Sequence, residues 1–426
     1  MRVLVIGGGA REHALLATLA AAGDTGELVC VPGNPGIARI ARTHNIGAGD
    51  LDRLVTLAAD ASIDFTIVGP ELPLSSGIVD RFQAAGLGIF GPSRAAARLE
   101  SSKAFAKTLM ARCGVPTARF VTCASADDAR TVIDSGEFGW PVVLKADGLA
   151  AGKGVVIADD RESATAAIRA AMQERRFGDA GARLVVEECL TGPEVSFFAV
   201  CDGVRAVPIG TAHDHKRIFD GDRGPNTGGM GAFAPSPLVD GALETRIMDE
   251  IVQPVLEGMA AEGSPFRGFL YAGLMLTDAG PQVIEFNVRL GDPEAQVMLP
   301  LLDEPLLPLL RAAATGGLEQ SSVRTRRDCC AGVVLASRGY PDSAESGQPI
   351  DGIDRAESIP AVAVYHAGTA LRGGRVVTAG GRVLTVVGRG RDLREAIDRA
   401  YAGVREVSFE GMQYRRDIGA KISSAY

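Results

Sequence analysis

The chain has 426 residues, 46% hydrophobic and 23% charged, enough for roughly two to four domains with buried cores. A formal charge of −8 argues against a surface that coats nucleic acid, so any anion site must gather its positive charge locally. No apolar run reaches the ~18–20 residues of a membrane-spanning helix, and the glycines and "REH" near the N-terminus interrupt a signal-peptide core too early. The seven cysteines form no C-x-x-C pair, so a reduced, cytoplasmic protein is expected.

"VLVIG" (3–7) reads as a buried strand and "REHALLATLAAAG" as a helix. "ELVCV" and "DFTIVG" are further strands with "LDRLVTLAADA" as a helix between them, and "GIVDRFQAAG" and "LGIFG" add a helix and a strand. This rhythm predicts a parallel sheet with helices on both faces. "GGGAREH" (7–13) stands where a dinucleotide loop would, but Glu12 takes the place of the last small residue in G-x-G-x-x-G/A, and "VPGNPG" offers no ribose carboxylate. A ligand at this helix N-terminus and a plain tight turn both fit.

Residues 101–118 carry a helix, "SKAFAKTLMARCG", stopped by Gly114 and Pro116. "LKADGLAAGKG" (144–154) is then a polar, bendable tip between the apolar runs "PVVL" and "VVIA". It fails the Walker count, because Lys153 is followed by Gly154 and a strand comes next. Its glycines still expose backbone N–H groups, Lys153 adds a mobile charge and Lys145 stands at the strand end, which suits phosphates. A plain hairpin fits these residues equally well. There are six lysines (Lys103, Lys107, Lys145, Lys153, Lys216 and Lys421) against 38 arginines. A codon bias explains the ratio, yet positions that stay lysine are candidates for a compact ammonium.

"LVVEECL" (184–190) is another strand, and "EECLTGPEVSFF" gathers Glu187, Glu188 and Glu194 near its end. These can accept from ribose hydroxyls or an adenine amino group, or form an exposed acidic loop. In "HDHKR", His213 and His215 lack a third histidine, so zinc is not expected, and Lys216 with Arg217 reads as an anchor for an anionic substrate. The loop "DGDRGPNTGGMGAFAPSP" (220–237) is long enough to be functional. A helix (about 241–262), the strand pair "FLYAGLMLT" and "PQVIEFNVRL", and an apolar helix near 295–313 follow. In "VIEFNVRLGDPE" (283–294), Glu285 and Asn287 share one strand face. Their oxygens are hard ligands suited to Mg²⁺, and the apolar flanks favour that over a solvated face. From about 326, "AVAVYHAG" and "RVVTAGGRVLTVVG" read as strands with "AGG" as a hairpin turn, and "LREAIDRAYAGV" as a helix, in a separate α+β domain.

In this order the motifs resemble the ATP-grasp superfamily, and within it the phosphoribosylamine–glycine ligases. The match runs from "VLVIGGGAREHAL" through "PGNPG", "VGPELPL", "SKAFAK", "KADGLAAGKGV", "DHKR", "GPNTGGMGA" and "EFNVRLGDPEAQ" to "GVVLASRGYP" and "YHAGT", essentially the whole chain. The resemblance implies an α/β and α+β multidomain protein. Its parts are a Rossmann-like N-terminal parallel sheet (1–102), an ATP-grasp core (103–325) with a mobile lid subdomain (about 119–190), and a small C-terminal α+β domain (326–426). It implies ATP-dependent ligation of glycine to 5-phospho-β-D-ribosylamine through a glycyl phosphate, in de novo purine biosynthesis, by a monomer with neither nucleic acid nor membrane as partner.

By the same resemblance, Glu285 and Asn287 hold Mg²⁺ or Mn²⁺, and Lys103 and Lys145 contact nucleotide phosphates. The loop with Gly148, Gly152, Lys153 and Gly154 closes over the triphosphate. Glu187 and the backbone from Glu188 to Leu190 read adenine, and Glu194 reads the ribose. Arg289, Lys145 and Lys153 are the catalytic candidates, Arg289 facing the transferred phosphoryl group. Asp214, Lys216, Gly291, Asp292, Pro293 and Glu294 line the acceptor side, with Gly9, Asn34 and Glu71 as further substrate contacts. The strand "LYAGLMLT" has no carboxylate, so two protein metal ligands are expected. Competing readings are a related ligase for another acid or amine, a nicotinamide-dependent oxidoreductase built on the first domain, and a non-catalytic nucleotide-binding regulator.

Overall fold

Alternate residues of the first strand, Arg2–Gly7, serve two different cores. Val3 and Val5 pack against Ala14 and Leu15 of the helix Ala10–Ala22, whereas Leu4 and Ile6 pack with Leu54 and Phe82 of the helices Leu51–Asp60 and Ile78–Ala84. A sheet covered on both faces needs this continuous apolar run. Its five parallel strands lie in the order Arg42–Thr43, Glu27–Pro32, Arg2–Gly7, Phe65–Val68, Ile89–Phe90. The chain's computed structural model describes residues 1–150 and 154–420, and Gly152 and Lys153 therefore lie outside the described residues.

The helix Lys103–Cys113 starts at Ser102, whose hydroxyl accepts from Phe105 N–H, and ends at Gly114 with φ +68°. It leads to a four-stranded antiparallel sheet ordered Phe120–Cys123, Leu184–Glu188, Val142–Ala146, Val155–Ala158. The helices Ala126–Ser135 and Arg161–Ile168 cover one face through Ala129, Ile133, Ala164 and Ile168, which meet Val142, Leu144 and Val186. The "PVVL" and "VVIA" runs do form an antiparallel hairpin, with Lys145 opposite Val155.

The central sheet departs from expectation in connectivity. Gly280–Asn287, Arg267–Thr277, Glu194–Asp202, Ala206–Asp214 and Gly231–Ala234 continue directly into Cys329–Ala336, Arg382–Gly390 and Val362–His366, eight strands in all. The C-terminal region is thus hydrogen-bonded into the central domain, with Ala232 opposite Gly332. Cys329–Ala336 is apolar on both faces, a pattern that hides which edge it joins. Nor does "AGG" (379–381) close a hairpin. Arg375–Thr378 pairs with Thr369–Arg372 across Gly373 and Gly374, at φ +56° and +77°, the left-handed pair that a tight two-residue turn requires. The expected helix near 295–313 is broken into Glu294–Met298, a 3₁₀ turn Leu299–Leu301 and Leu306–Thr315, interrupted around Pro300 and Pro305. The strand carrying Glu285 ends at Asn287. Among the described residues, no helix is long and apolar enough to cross a membrane.

Candidate active site

Strand alternation places Lys145 and Glu187 together. Leu144 and Val186 point into the core of the four-stranded sheet, so Lys145 and Glu187 project from the opposite face, towards the central sheet. Lys145 Nζ lies 2.9 Å from Glu187 Oε2 and donates to the carbonyl oxygen of Ile284 at 2.9 Å. The four-stranded sheet therefore meets the strand Gly280–Asn287 one residue before Glu285. A second tether holds the start of the lysine loop. Asp147 Oδ1 accepts from Ser102 Oγ (3.0 Å) and Ala104 N–H (3.1 Å), while Lys103 Nζ donates to Gly148 O (3.2 Å). Asp147 is thus a second cap on the helix Lys103–Cys113.

Glu285 and Asn287 stand on one strand face, opposite Gly273 and Tyr271 of the neighbouring strand. Burial raises the Glu285 carboxyl, but Lys216, Lys103, Lys145 and Arg289 outweigh it and leave it below the usual carboxylate range. Among the described residues, Asn287 Oδ1 accepts one hydrogen bond, from Arg289 Nη2 at 3.2 Å. A charged carboxylate and an amide oxygen with a lone pair to spare suit a hard cation. Among the described residues, no three His, Cys, Asp or Glu side chains are arranged to hold a metal ion, so such a cation would take its remaining ligands from phosphate oxygens and water.

Arg289 is held between two carboxylates, Glu100 Oε1 at 3.1 Å and Glu71 Oε2 at 3.2 Å. Burial is the largest influence on both acids. It leaves Glu100 raised, whereas at Glu71 the charges of Arg289 and Arg11 win and the carboxyl is lowered. Glu100 also accepts from Val288 N–H at 2.8 Å, fixing the end of the acidic strand.

Around the residues expected to line the acceptor, Arg382 of the C-terminal region reaches over the central domain. Its guanidinium donates to Gly228 O and, at 2.6 Å, to Asp292 O, and lies 3.2 Å from Asp292 Oδ2. Gln296 Nε2 holds the other Asp292 oxygen at 2.7 Å. Glu294 Oε1 accepts from Ser196 Oγ at 3.1 Å, and Ser196 Oγ, its one proton so used, lies 3.1 Å from Tyr271 Oη and accepts from it. Asp214 Oδ1 is buried without a hydrogen-bond partner among the described residues, and burial together with Glu294 raises its carboxyl well above the ordinary range. Gly229 leaves room beside it: a Cβ there would sit 2.9 Å from Asp214 Oδ1.

Several expected contacts are otherwise engaged. Lys216 Nζ pairs with Glu194 Oε2 at 2.7 Å, joining residues assigned to acceptor and ribose. Glu188 turns its carboxylate to Arg119 at 2.7 Å and its N–H to Arg119 O. The Asn34 amide donates to Gly8 O and His366 O and accepts from Ile37 N–H, so it fastens three main-chain segments. Gly9 N–H donates to Glu12 Oε2 at 2.7 Å. The residue that spoils the dinucleotide fingerprint thereby closes that helix start from within. His213 stacks on Phe233 with ring centroids 5.1 Å apart, and His215 Nε2 accepts from Gly419 N–H. Sequence reasoning missed Lys107, Glu100, Arg11, Asp147 and Arg382. Lys107 carried a signal, being one of the few retained lysines. Arg382 carried none, because its contacts lie 90 or more residues away.

A lysine-bearing hairpin facing an acidic strand, set between a parallel N-terminal sheet and a sheet-extending C-terminal region, defines an ATP-grasp protein. Family models for the N domain, the ATP-grasp (A) domain and the C domain of phosphoribosylglycinamide synthetase match residues 1–100, 101–295 and 330–421. The chain belongs to the phosphoribosylglycinamide synthetase family. It is 49% identical over 424 residues to the phosphoribosylamine–glycine ligase of Xylella fastidiosa strain Temecula1, covering 98% of this chain and 97% of that one. With the ligase of Streptomyces coelicolor it shares 48% identity across 100% of both chains. The crystal structure of phosphoribosylamine–glycine ligase from Thermotoga maritima superposes with a TM-score of 0.85 at 36% identity, covering 98% of this chain and 100% of that one. The biotin carboxylase domain of 2-oxoglutarate carboxylase from Hydrogenobacter thermophilus, 18% identical with a TM-score of 0.76 over 97% and 91% of the two chains, shares the fold.

Proposed function

We propose that this chain is an ATP-dependent carbon–nitrogen ligase that joins glycine to 5-phosphoribosylamine, giving glycinamide ribonucleotide, ADP and phosphate in de novo purine biosynthesis. The observation that carries this reading is the contact of Lys145 with Glu187 and with the carbonyl beside Glu285. It brings a phosphate-binding ammonium to the acidic strand. A glycine carboxylate oxygen attacks the γ-phosphorus and ADP leaves; the ribosylamine nitrogen then attacks the acyl carbon, and phosphate leaves as the amine loses a proton. Positioning and charge neutralisation supply most of such catalysis.

Lys103 and Lys145 bind the nucleotide phosphates, with the loop through Gly148 and Gly154 closing above them. Glu187 and the Glu188–Leu190 backbone take the adenine, and Glu194 takes the ribose once Lys216 exchanges partners. Arg289 steadies the transferred phosphoryl group. Asp214, Lys216 and Gly291–Glu294 receive the acceptor, with Gly9, Asn34 and Glu71 bordering it. Glu285 and Asn287 hold Mg²⁺ or Mn²⁺, which when bound neutralises phosphate charge. The divisions 1–102, 103–325 and 326–426 follow these roles. We read the chain as a monomer, and seven free thiols fit a reducing cytoplasm. The test is ADP release with ATP, Mg²⁺, glycine and freshly generated phosphoribosylamine. Release must require glycine and the amine, and ADP formation indifferent to glycine overturns the assignment.

A further inference from the structure

Lys107 sits one helical turn after Lys103, on the same face of the helix Lys103–Cys113. Its ammonium is buried, as are Lys145 and Glu187. All three Lys107 donor positions have acceptors within the protein: Glu187 Oε2 at 3.0 Å, Thr117 Oγ1 at 2.8 Å and Ala118 O at 3.4 Å. Thr117 sends its own hydroxyl proton to Val283 O at 2.7 Å, which leaves its oxygen oriented to accept from Lys107. Lys107 therefore has no N–H left for a ligand. Among the described residues, Lys145 uses two of its three, on Glu187 Oε2 and Ile284 O, and keeps one.

The consequence falls on Glu187. Both ammonium groups converge on Oε2, while Oε1 is buried and has no hydrogen-bond partner among the described residues. A buried carboxylate oxygen without a donor is costly, so its natural complement is a ligand N–H. We infer that Lys107 is a positioning residue for nucleobase selection: by locking Oε2, it presents Oε1 to the exocyclic amino group of adenine and turns away a 6-oxo purine, whose carbonyl oxygen would face the carboxylate. The inference rests on the ATP-binding reading above. Lys145 alone is a poorer lock, because its remaining N–H is directed to phosphate chemistry and its position can change when a nucleotide enters. Lys107, saturated by the protein, holds Glu187 in either state.

The experiment compares dissociation constants for ADP and IDP by calorimetry on the full chain, together with kcat/KM for ATP and ITP, in the wild type, Lys107→Met and Thr117→Val. Thermal unfolding is recorded for each protein. A site built to hydrogen-bond an amino group rejects its oxo analogue by roughly 100-fold or more, and that is expected of the wild type. Lys107→Met is expected to cut the adenine preference about 10-fold or more, chiefly through weaker adenine binding, with KM for glycine unchanged. Thr117→Val, which deprives the ammonium of one acceptor, moves the ratio the same way by less. If Lys107→Met does not fold, Thr117→Val decides. An unchanged ADP/IDP ratio in the folded variant, or a wild type without preference, overturns the proposal. Wild-type protein that binds ADP selectively but cleaves ATP without regard to glycine sinks the ligase reading instead, and the binding ratio still tests Lys107.

Discussion

Lys145 Nζ lies 2.9 Å from the carbonyl oxygen of Ile284, the residue immediately before Glu285. The four-stranded sheet and the strand Gly280–Asn287 thus converge at one point, with the Glu285 carboxylate held ionised by four surrounding cations. On the proposed reading, Glu285→Ala removes the negative charge that would hold a metal-nucleotide complex. Turnover is expected to fall about 10³-fold or more, on the scale of losing a dominant electrostatic contact, while circular dichroism and the unfolding midpoint stay near wild type. Retained turnover at ordinary Mg²⁺ concentrations contradicts the metal assignment.

Asp147 joins the first residues of the lysine loop to the helix that begins at Lys103. Asp147→Ala deletes a helix cap worth about 1 kcal/mol and frees the loop at its root. A modest drop in unfolding midpoint is expected, with a several-fold rise in KM for ATP and a smaller change in KM for glycine. Equal rises for both substrates would point to general loosening instead.

Arg382 holds the Gly228–Gly229 and Asp292 segments from a different domain. Arg382→Gln leaves Asp292 without its cation and slackens both acceptor-side loops. KM for phosphoribosylamine should rise about 10-fold or more with KM for ATP nearly constant, and Arg382→Lys should recover part of the loss. Initial rates with each substrate varied in turn will separate this from a uniform decline in kcat.

Three buried histidines give the fold an acid limit. Burial is the main cause that lowers His13 to about 3, His215 to about 3 and His366 to about 4. Unfolded histidines bind protons near pH 6.5, so below that the unfolded chain holds more protons than the native one. The stabilisation is complete above pH 6.5 and drains away as pH falls towards 4, by up to about 1.4 kcal/mol per pH unit for each histidine. Denaturant midpoints should therefore decline between pH 6.5 and 5, where most carboxylates are still ionised. A flat profile across that window would show that these rings accept protons in the native state.

Much of this was readable from the sequence because strand alternation and short-range motifs are local. Lys145 and the hairpin, Glu285 with Asn287 on one face, and the parallel N-terminal sheet all follow from residues a few positions apart. The partner of Arg289 does not, since Glu71 and Glu100 are far away in the chain. Glu12 was legible as a misfit in a glycine loop, but its use as an internal cap required the turn's geometry. The "AGG" turn misled because Gly373–Gly374, six residues earlier, competes for the same hairpin and has the better backbone angles. Pairing between Gly231–Ala234 and Cys329–Ala336 spans about a hundred residues, and long-range strand partners leave no periodic trace.

That pairing also governs how the chain can be divided. Cutting at 326 would strip Gly231–Ala234 of its neighbour and expose an apolar strand edge on one fragment, with Cys329–Ala336 bare on the other. Such edges recruit one another or stray copies. The two pieces expressed separately should therefore precipitate, and expressed together they should reassemble; a cut in the exposed turn at Gly373–Gly374 would likewise part Arg382–Gly390 from its two neighbours, Cys329–Ala336 and Val362–His366.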